Sequence, residues 1–276
     1  MSWRIGIASG TCTGHPILGA LDAIEASGTL GVEFGTPPHH FAPWEPGQVD
    51  AVAARLRGSP LIPVSMHAPF GGRLDLSDLD PHRLQDTLRT VQTTAEALAR
   101  LGGRVLVAHA TDVARAGADV QAHLDRAAAS LRTLIDSCRR LDLVLAIESP
   151  LPHLIGGHPD EFAWLLQQAG PEARVCFDTG HLHLGGHWCR FMEIAGDRLV
   201  HVHAHDNRGQ FDDHLPPGDG HVAWPEIRRS LQQINYTGWI MLELKCPEEP
   251  LASYYTRAWD QANRLLNEPA ARSPTP

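Results

Sequence analysis

Residues 104–148 read RVLVAHATDVARAGADVQAHLDRAAASLRTLIDSCRRLDLVLAIE. Two short apolar runs, Val105–His109 and Leu143–Glu148, enclose a longer stretch. In that stretch Leu124, Ala127, Leu131, Leu134, Cys138 and Leu141 recur every three or four residues. This spacing lines one face of a helix. The runs VLVA and LVLAI lack polar alternation, as strands covered on both faces do. A covered strand, a helix and a second covered strand predict a parallel sheet.

The same unit repeats in both directions. Further strand candidates are Trp3–Ala8, Leu30–Phe34, Leu61–His67, Arg174–Asp178, Leu199–His203 and Trp239–Glu243. A second helical stripe, Leu84, Leu88, Val91, Ala95, Leu98 and Leu101, follows the third of the eight strands. Eight units in 276 residues give about 34 residues each, the size of a strand–helix module. The expected fold is α/β, a single (β/α)8 TIM barrel over residues 1–267. A doubly wound open sheet is the rival, weakened by the lack of G-x-G-x-x-G after the first strand. The Pro-rich end, residues 268–276 (EPAARSPTP), is expected to be a flexible tail.

Composition narrows the classes. No run of about 18 apolar residues is present, so no membrane span is expected. MSWRIGIASG lacks a basic segment followed by an apolar one, so no signal peptide is expected. The five cysteines are scattered without C-x-x-C, which favours reduced thiols and a cytoplasmic setting. The formal charge is −9, and Lys245 is the only lysine among 23 basic residues. Nucleic acid is therefore a disfavoured partner, because its affinity comes largely from phosphate neutralisation. The chain carries 17 histidines, a high count for a side chain that binds metals and titrates near neutrality.

The ends of the strands carry Glu33, His67, His109, Glu148, Asp178, His203 and Glu243. In a closed (β/α)8 barrel these ends meet at one mouth, where active sites sit. A single histidine at a strand end is ordinarily a hydrogen-bonded structural residue. Several carboxylates buried together need a countercharge, and a divalent cation supplies it. The motif Asp178-Thr179-Gly180-His181 puts a carboxylate at the sixth strand tip and an imidazole in the loop beyond. In His201-Val202-His203-Ala204-His205, period-2 geometry puts all three histidines on one face, without selecting a ligand. Asp212 and His214 are two residues apart, so an extended loop aims both the same way. The following Pro-Pro-Gly and Gly-Asp-Gly stretches are suited to fixing that loop at the mouth.

The ordered segments GVEFGT, HAPFGGRLDLSD, VLVAHA, AIESP, VCFDTGH, HVHAHDNRGQFDDHLPPGDG and IMLELK resemble the xylose isomerase-like TIM-barrel superfamily. This superfamily joins sugar isomerases and epimerases to apurinic-site endonucleases of the endonuclease IV type. The resemblance implies that Glu148, Asp178, His203 and Glu243 hold a central metal. It implies that His67, His109, His181, Asp212 and His214 occupy positions that hold additional zinc ions in the endonuclease branch. In the epimerase branch the His181 position contacts substrate instead. The implied cofactor is Mn2+ or Zn2+, one to three ions. The oxygen-rich central set suits Mn2+.

Two chemistries follow. In a sugar or sugar phosphate isomerase or epimerase, a proton leaves a carbon beside a carbonyl, and a cation stabilises the enediolate. Glu148 and Glu243 form the acid–base pair, and His181 orients a hydroxyl. Phe70 and the Gly71-Gly72-Arg73 loop are placed to cover the sugar, with Glu33 and Arg208 as further substrate contacts. In a multi-zinc phosphodiesterase, clustered ions activate water, with Glu148 bridging two of them. Against that branch stand the acidic chain, His205-Asp206-Asn207-Arg208 in place of its N-[DE]-[SA]-K signature, and Gly180 where it has Cys. The isomerase/epimerase branch is preferred. A non-catalytic metal or ligand-binding barrel and a Schiff-base aldolase using Lys245 rank below both. The expected partner is a small carbohydrate, and a homo-oligomer remains open.

Overall fold

In the computed structural model, which describes residues 2–12 and 14–268, eight parallel strands close into a barrel. They are β1 (Arg4–Ala8), β2 (Gly31–Phe34), β3 (Ile62–His67), β4 (Val105–Ala108), β5 (Val144–Glu148), β6 (Arg174–Asp178), β7 (Leu199–Ala204) and β8 (Trp239–Glu243). Each pairs with the next, and β8 returns to β1 with Glu243 opposite Ala8. The (β/α)8 barrel expected from the repeat is the fold of this chain. Strand limits differ from the sequence expectation by a residue at some ends; His109 lies just beyond β4.

Around the barrel lie α1 (Ile17–Ala26), α2 (Gln48–Leu56), α3 (Pro81–Leu101), α4 (Val120–Arg140), α5 (Pro159–Ala169), α6 (Thr179–Gly185), α7 (Trp188–Ala195), α8 (Trp224–Gln233) and α9 (Leu251–Asn267). The predicted stripes face the sheet: Leu84, Val91, Ala95 and Leu98 on α3, and Leu124, Ala127, Leu131 and Leu134 on α4, are buried. The sequence places His181 in a loop, whereas the structure has a short helix, α6, there. The Asp178 side chain caps it, accepting from His181 N at 2.7 Å. Of the expected tail, residues 269–276 lie outside the described residues. Among the described residues no helix is long and apolar enough to cross a membrane.

Period-2 alternation sorts the strand residues. Ile5, Ile7, Leu145, Ile147, Val175 and Phe177 join the large apolar cluster shared with the helices. The alternate positions form small clusters, Ala8–Val64–Met241 and Val107–Ala146–Cys176. Other alternate positions are polar and buried: Glu33, Ser65, His67, Glu148, Asp178, His201 and His203. The ladder shifts register between Val32 and Glu33 and between Val175 and Cys176. Such irregularities re-aim the side chains that follow them.

Candidate metal centre

The strand tips meet as predicted for a closed barrel. Glu148, at the end of β5, lies at the hub. Its Oε2 is 2.9 Å from both His67 Nε2, at the end of β3, and His109 Nε2. Its Oε1 is 2.8 Å from His203 Nδ1 on β7. The same His203 nitrogen is 3.4 Å from Glu243 Oε2 and 3.9 Å from Asp178 Oδ2. Glu148, Asp178, His203 and Glu243 each offer a ligand atom within 4.8 Å of the others. Three carboxylates thus converge on one imidazole nitrogen, a donor set that matches a divalent cation.

A second layer lies behind His203. Glu33 Oε2 accepts from Ser65 Oγ at 2.6 Å and lies 2.8 Å from His201 Nε2. Its Oε1 is 2.9 Å from His203 Nε2, in an alignment that makes no hydrogen bond. Both Glu33 oxygens therefore face protein partners, although the residue lines the cavity. The arrangement orients His203 from behind, as carboxylates commonly do for ligating imidazoles.

A third group lies toward the rim. His181 Nε2 is 3.3 Å and His214 Nε2 is 3.1 Å from Asp212 Oδ2. His214 adopts a left-handed backbone, φ 48°, uncommon for a non-glycine residue. Its carbonyl accepts from Lys245 N at 2.8 Å, and its Nδ1 is 3.0 Å from Glu243 O. The β7–α8 loop that carries it is organised by Asp206. That buried carboxylate accepts from Asn207 N, Gly218 N, Val222 N and Trp224 Nε1 at 2.8–2.9 Å. Four donors satisfy the carboxylate without a counter-ion.

Electrostatics follow from this packing. Burial by itself raises the Glu148 carboxyl, but His203 and His109 outweigh it and hold it well below the usual range. Burial likewise opposes ionisation of Glu33, and His203 and His201 hold it low. Asp178 is lowered by His181 and His205 against burial, and Asp212 by hydrogen bonds from His181 and His214. The imidazoles move the other way. Burial disfavours charge on His109, yet the Glu148 charge and the Asp112 hydrogen bond push it up to about 10. Against the same penalty, Asp212 and Glu243 push His214 up to about 9. His181 is raised well above its ordinary value by Asp178 and Asp212, despite burial. His203 is raised, against burial, by the charges of Glu33, Glu148 and Glu243 around it.

Above the groups lies a cavity of about 570 Å3. Glu33, Glu148, His181, Asp212, His214 and Glu243 are among its polar lining residues, and Pro37, Pro38, Phe70, Leu74, Leu151 and Leu154 among its apolar ones. Among the described residues no arginine or lysine lines it. Phe70, 53% exposed, lays its ring 4.0 Å from that of His109 and 4.9 Å from that of His67. Arg208 is exposed and does not line the cavity; its backbone N donates to Asp213 Oδ2 at 3.1 Å. Lys245 is exposed and also absent from the lining, so no lysine amine faces the cavity.

Asp112, Asp206, His201 and His205 are site residues that the sequence did not single out individually. Asp112 Oδ1 is 2.7 Å from His109 Nδ1, and its Oδ2 accepts from Gly71 N at 3.0 Å. The H-x-x-D spacing of His109 and Asp112 was the available signal. Asp206 had none, since its donors arrive from a loop shaped by the carboxylate itself.

A family model described as xylose isomerase-like TIM barrel matches residues 21–267. An uncharacterized protein of Methanocaldococcus jannaschii is 27% identical over 197 residues, 67% of this chain and 65% of its own. The D-psicose 3-epimerase of Enterocloster bolteae is 28% identical over 130 residues, 45% of this chain and 41% of its own. This chain thus spans less than two thirds of the length of either relative. Among solved structures, a D-tagatose 3-epimerase-like protein superposes with a TM-score of 0.83 at 21% identity, over 97% of this chain and 100% of its own. The IOLI protein with a binding zinc atom superposes at 0.82 with 16% identity, over 95% of this chain and 98% of its own. At those identities the superpositions establish the shared barrel.

Proposed function

Because the chain belongs to the xylose isomerase-like TIM barrel family, we propose that it is a metal-dependent isomerase or epimerase of a small sugar. The observation that carries this reading is the convergence of Glu148 and Glu243 with Asp178 and His203 at the cavity. The epimerase named among its relatives supports the same class. A divalent cation held by those four residues would act as a Lewis acid toward the enediolate oxygens.

The protein's own groups divide the remaining work. Glu243 has no side-chain hydrogen bond among the described residues, and its side chain is 14% exposed. It is the carboxylate free to take a proton from the carbon beside the carbonyl. Glu148, from β5, faces it across the group and returns the proton. His181 is held through Nδ1 by Ser149 O at 3.0 Å, which turns Nε2 toward Asp212 and the cavity, where it would orient a hydroxyl. Phe70, Leu151 and Leu154 keep water from the reacting carbon.

The test is solvent-proton exchange into ketoses and aldoses in deuterium oxide, followed by NMR, with Mn2+ or Zn2+ supplied. Exchange is expected with at least one sugar, lost on chelation, and reduced about 100- to 10,000-fold by Glu243→Gln. Absence of exchange across a broad panel, with metal bound, overturns the proposal. A phosphodiesterase is the second reading, favoured by the further ligand groups His67–Glu148–His203 and His205–Asp212–His214. The cavity without arginine or lysine weighs against a polyanion. Cleavage of DNA at abasic sites, abolished by Glu148→Gln, would support that reading.

A further inference from the structure

We propose that Gly180 and His205 complete a second divalent-cation site in this chain, with His205 Nδ1 as a ligand beside Asp212 and His214. The proposal rests on the reading that this mouth binds metal, and adds to it a ligand and a site of different donor character.

His205 follows β7 and is fully buried. The Thr179 hydroxyl clamps its backbone, donating to His205 O at 2.8 Å and accepting from His205 N at 3.1 Å. The ring occupies the space that a side chain at 180 would need. A Cβ on Gly180 would lie 2.0 Å from His205 Cε1 and 2.4 Å from its Nδ1. Glycine at 180 and histidine at 205 are therefore one structural choice made at two positions.

Hydrogen-bond partners set which nitrogen is free. His205 Nε2 is 3.0 Å from Asp178 Oδ2, an oxygen that only accepts, so Nε2 carries the hydrogen. The lone pair of the neutral ring then lies on Nδ1. Among the described residues that atom is buried with no hydrogen-bond partner, and its neighbour Asp212 Oδ1, 3.7 Å away, also has none. The same logic applies to two other rings. His214 Nδ1 faces Glu243 O at 3.0 Å, and His181 Nδ1 faces Ser149 O at 3.0 Å. Each carbonyl accepts from Nδ1, so the Nε2 atoms, 3.1 and 3.3 Å from Asp212 Oδ2, are the ones a cation would take once their protons leave. Three imidazole nitrogens and a carboxylate thus converge, and a bound cation would displace the protons that His181 and His214 otherwise share with Asp212. The ligand atoms of His205, Asp212 and His214 all lie within 4.8 Å of one another. Two ligands at about 2.0–2.1 Å from a tetrahedral zinc are roughly 3.3–3.4 Å apart, close to the spacings found.

The donor set is imidazole-rich, which selects zinc, whereas the Glu148–Asp178–His203–Glu243 set is oxygen-rich. Asp178 belongs to one group and orients His205 of the other, so the two sites share a carboxylate.

The experiment strips the full-length protein with chelator, reloads it with Zn2+, and measures stoichiometry by elemental analysis and affinity by titration calorimetry. Wild type, His205→Phe and Gly180→Ala are compared. His205→Phe, which keeps a ring against His214, is expected to bind one zinc fewer than wild type. Gly180→Ala is expected to weaken that site about 10- to 100-fold by displacing the ring. An anomalous zinc peak among His205, Asp212 and His214 in wild-type crystals is the expected location, and it serves if either variant fails to fold. Wild-type protein that binds a single zinc overturns this proposal and leaves the sugar-enzyme reading intact. So does an unchanged stoichiometry and affinity in His205→Phe. Wild-type protein that binds no divalent ion overturns both.

Discussion

Gly35 and Gly10 follow adjacent strands and pack backbone against backbone at the cavity wall. A Cβ on Gly35 would lie 2.0 Å from Gly10 Cα. No side-chain rotation relieves a contact with backbone, so Gly35→Ala forces the two segments apart. Overpacking of this kind costs about 1–3 kcal/mol. The expected result is a lowered thermal midpoint together with weakened metal binding, and an unchanged midpoint would refute the steric account. Close approach also decides Gly180, though there the neighbour is an imidazole rather than a backbone. Neither glycine advertises its role in the sequence, because each depends on a partner 25 residues away in the chain.

Elements bring these residues to the mouth. Helix α4 begins where Asp119 accepts from Ala122 N at 3.1 Å, satisfying one of its free amides. Asp119→Ala is expected to cost about 1 kcal/mol and to lower the thermal midpoint by about 2–4 °C, as differential scanning calorimetry would record. Because the cap lies on the helix rather than in the mouth, metal content should stay at the wild-type value. A loss of bound metal would show that α4 positions β5 and Glu148 more tightly than packing alone implies. The β7–α8 loop is the opposite case. Its shape comes from the four donors on Asp206 and not from helix or strand propensity, so HDNRGQFDDHLPPGDG shows the Asp212–His214 spacing but not the carboxylate that holds the turn.

At the scale of the molecule, the mouth is a dense array of opposed charges whose balance sets a pH window. His109 and His214, held up to about 10 and about 9, add stability that is complete below their ordinary value of 6.5. It drains away as pH rises through 9 and 10. Glu33, Glu148, Asp178 and Asp212, all held low, add stability above their ordinary values and lose it as pH falls further. Chelator-treated protein should therefore be most heat-stable between about pH 5 and 6.5, and should weaken toward pH 10. Ligation needs the imidazole lone pairs, so zinc should release protons into weak buffer and flatten the alkaline decline. A chelated protein whose midpoint stays level from pH 6.5 to 10 would contradict this balance.

The eightfold strand–helix repeat, the apolar stripes of α3 and α4, and the acidic and imidazole tips of the strands were determined by the sequence alone. Periodicity is local, and a closed ring of parallel strands brings every strand end to one mouth whatever the distances along the chain. Depth and pairing were decided only by the tertiary structure. His201, His203 and His205 share one face by alternation, yet His201 lies against Glu33 and Ser65, His203 meets Glu148, and His205 reaches toward Asp212. Glu33, expected at the substrate, has both oxygens against protein, while Arg208, expected beside it, lies exposed. Which nitrogen keeps its lone pair, and which carboxylate stays free, depends on partners from other segments. Those partners meet only once the barrel has closed, so no pattern along the chain encodes them.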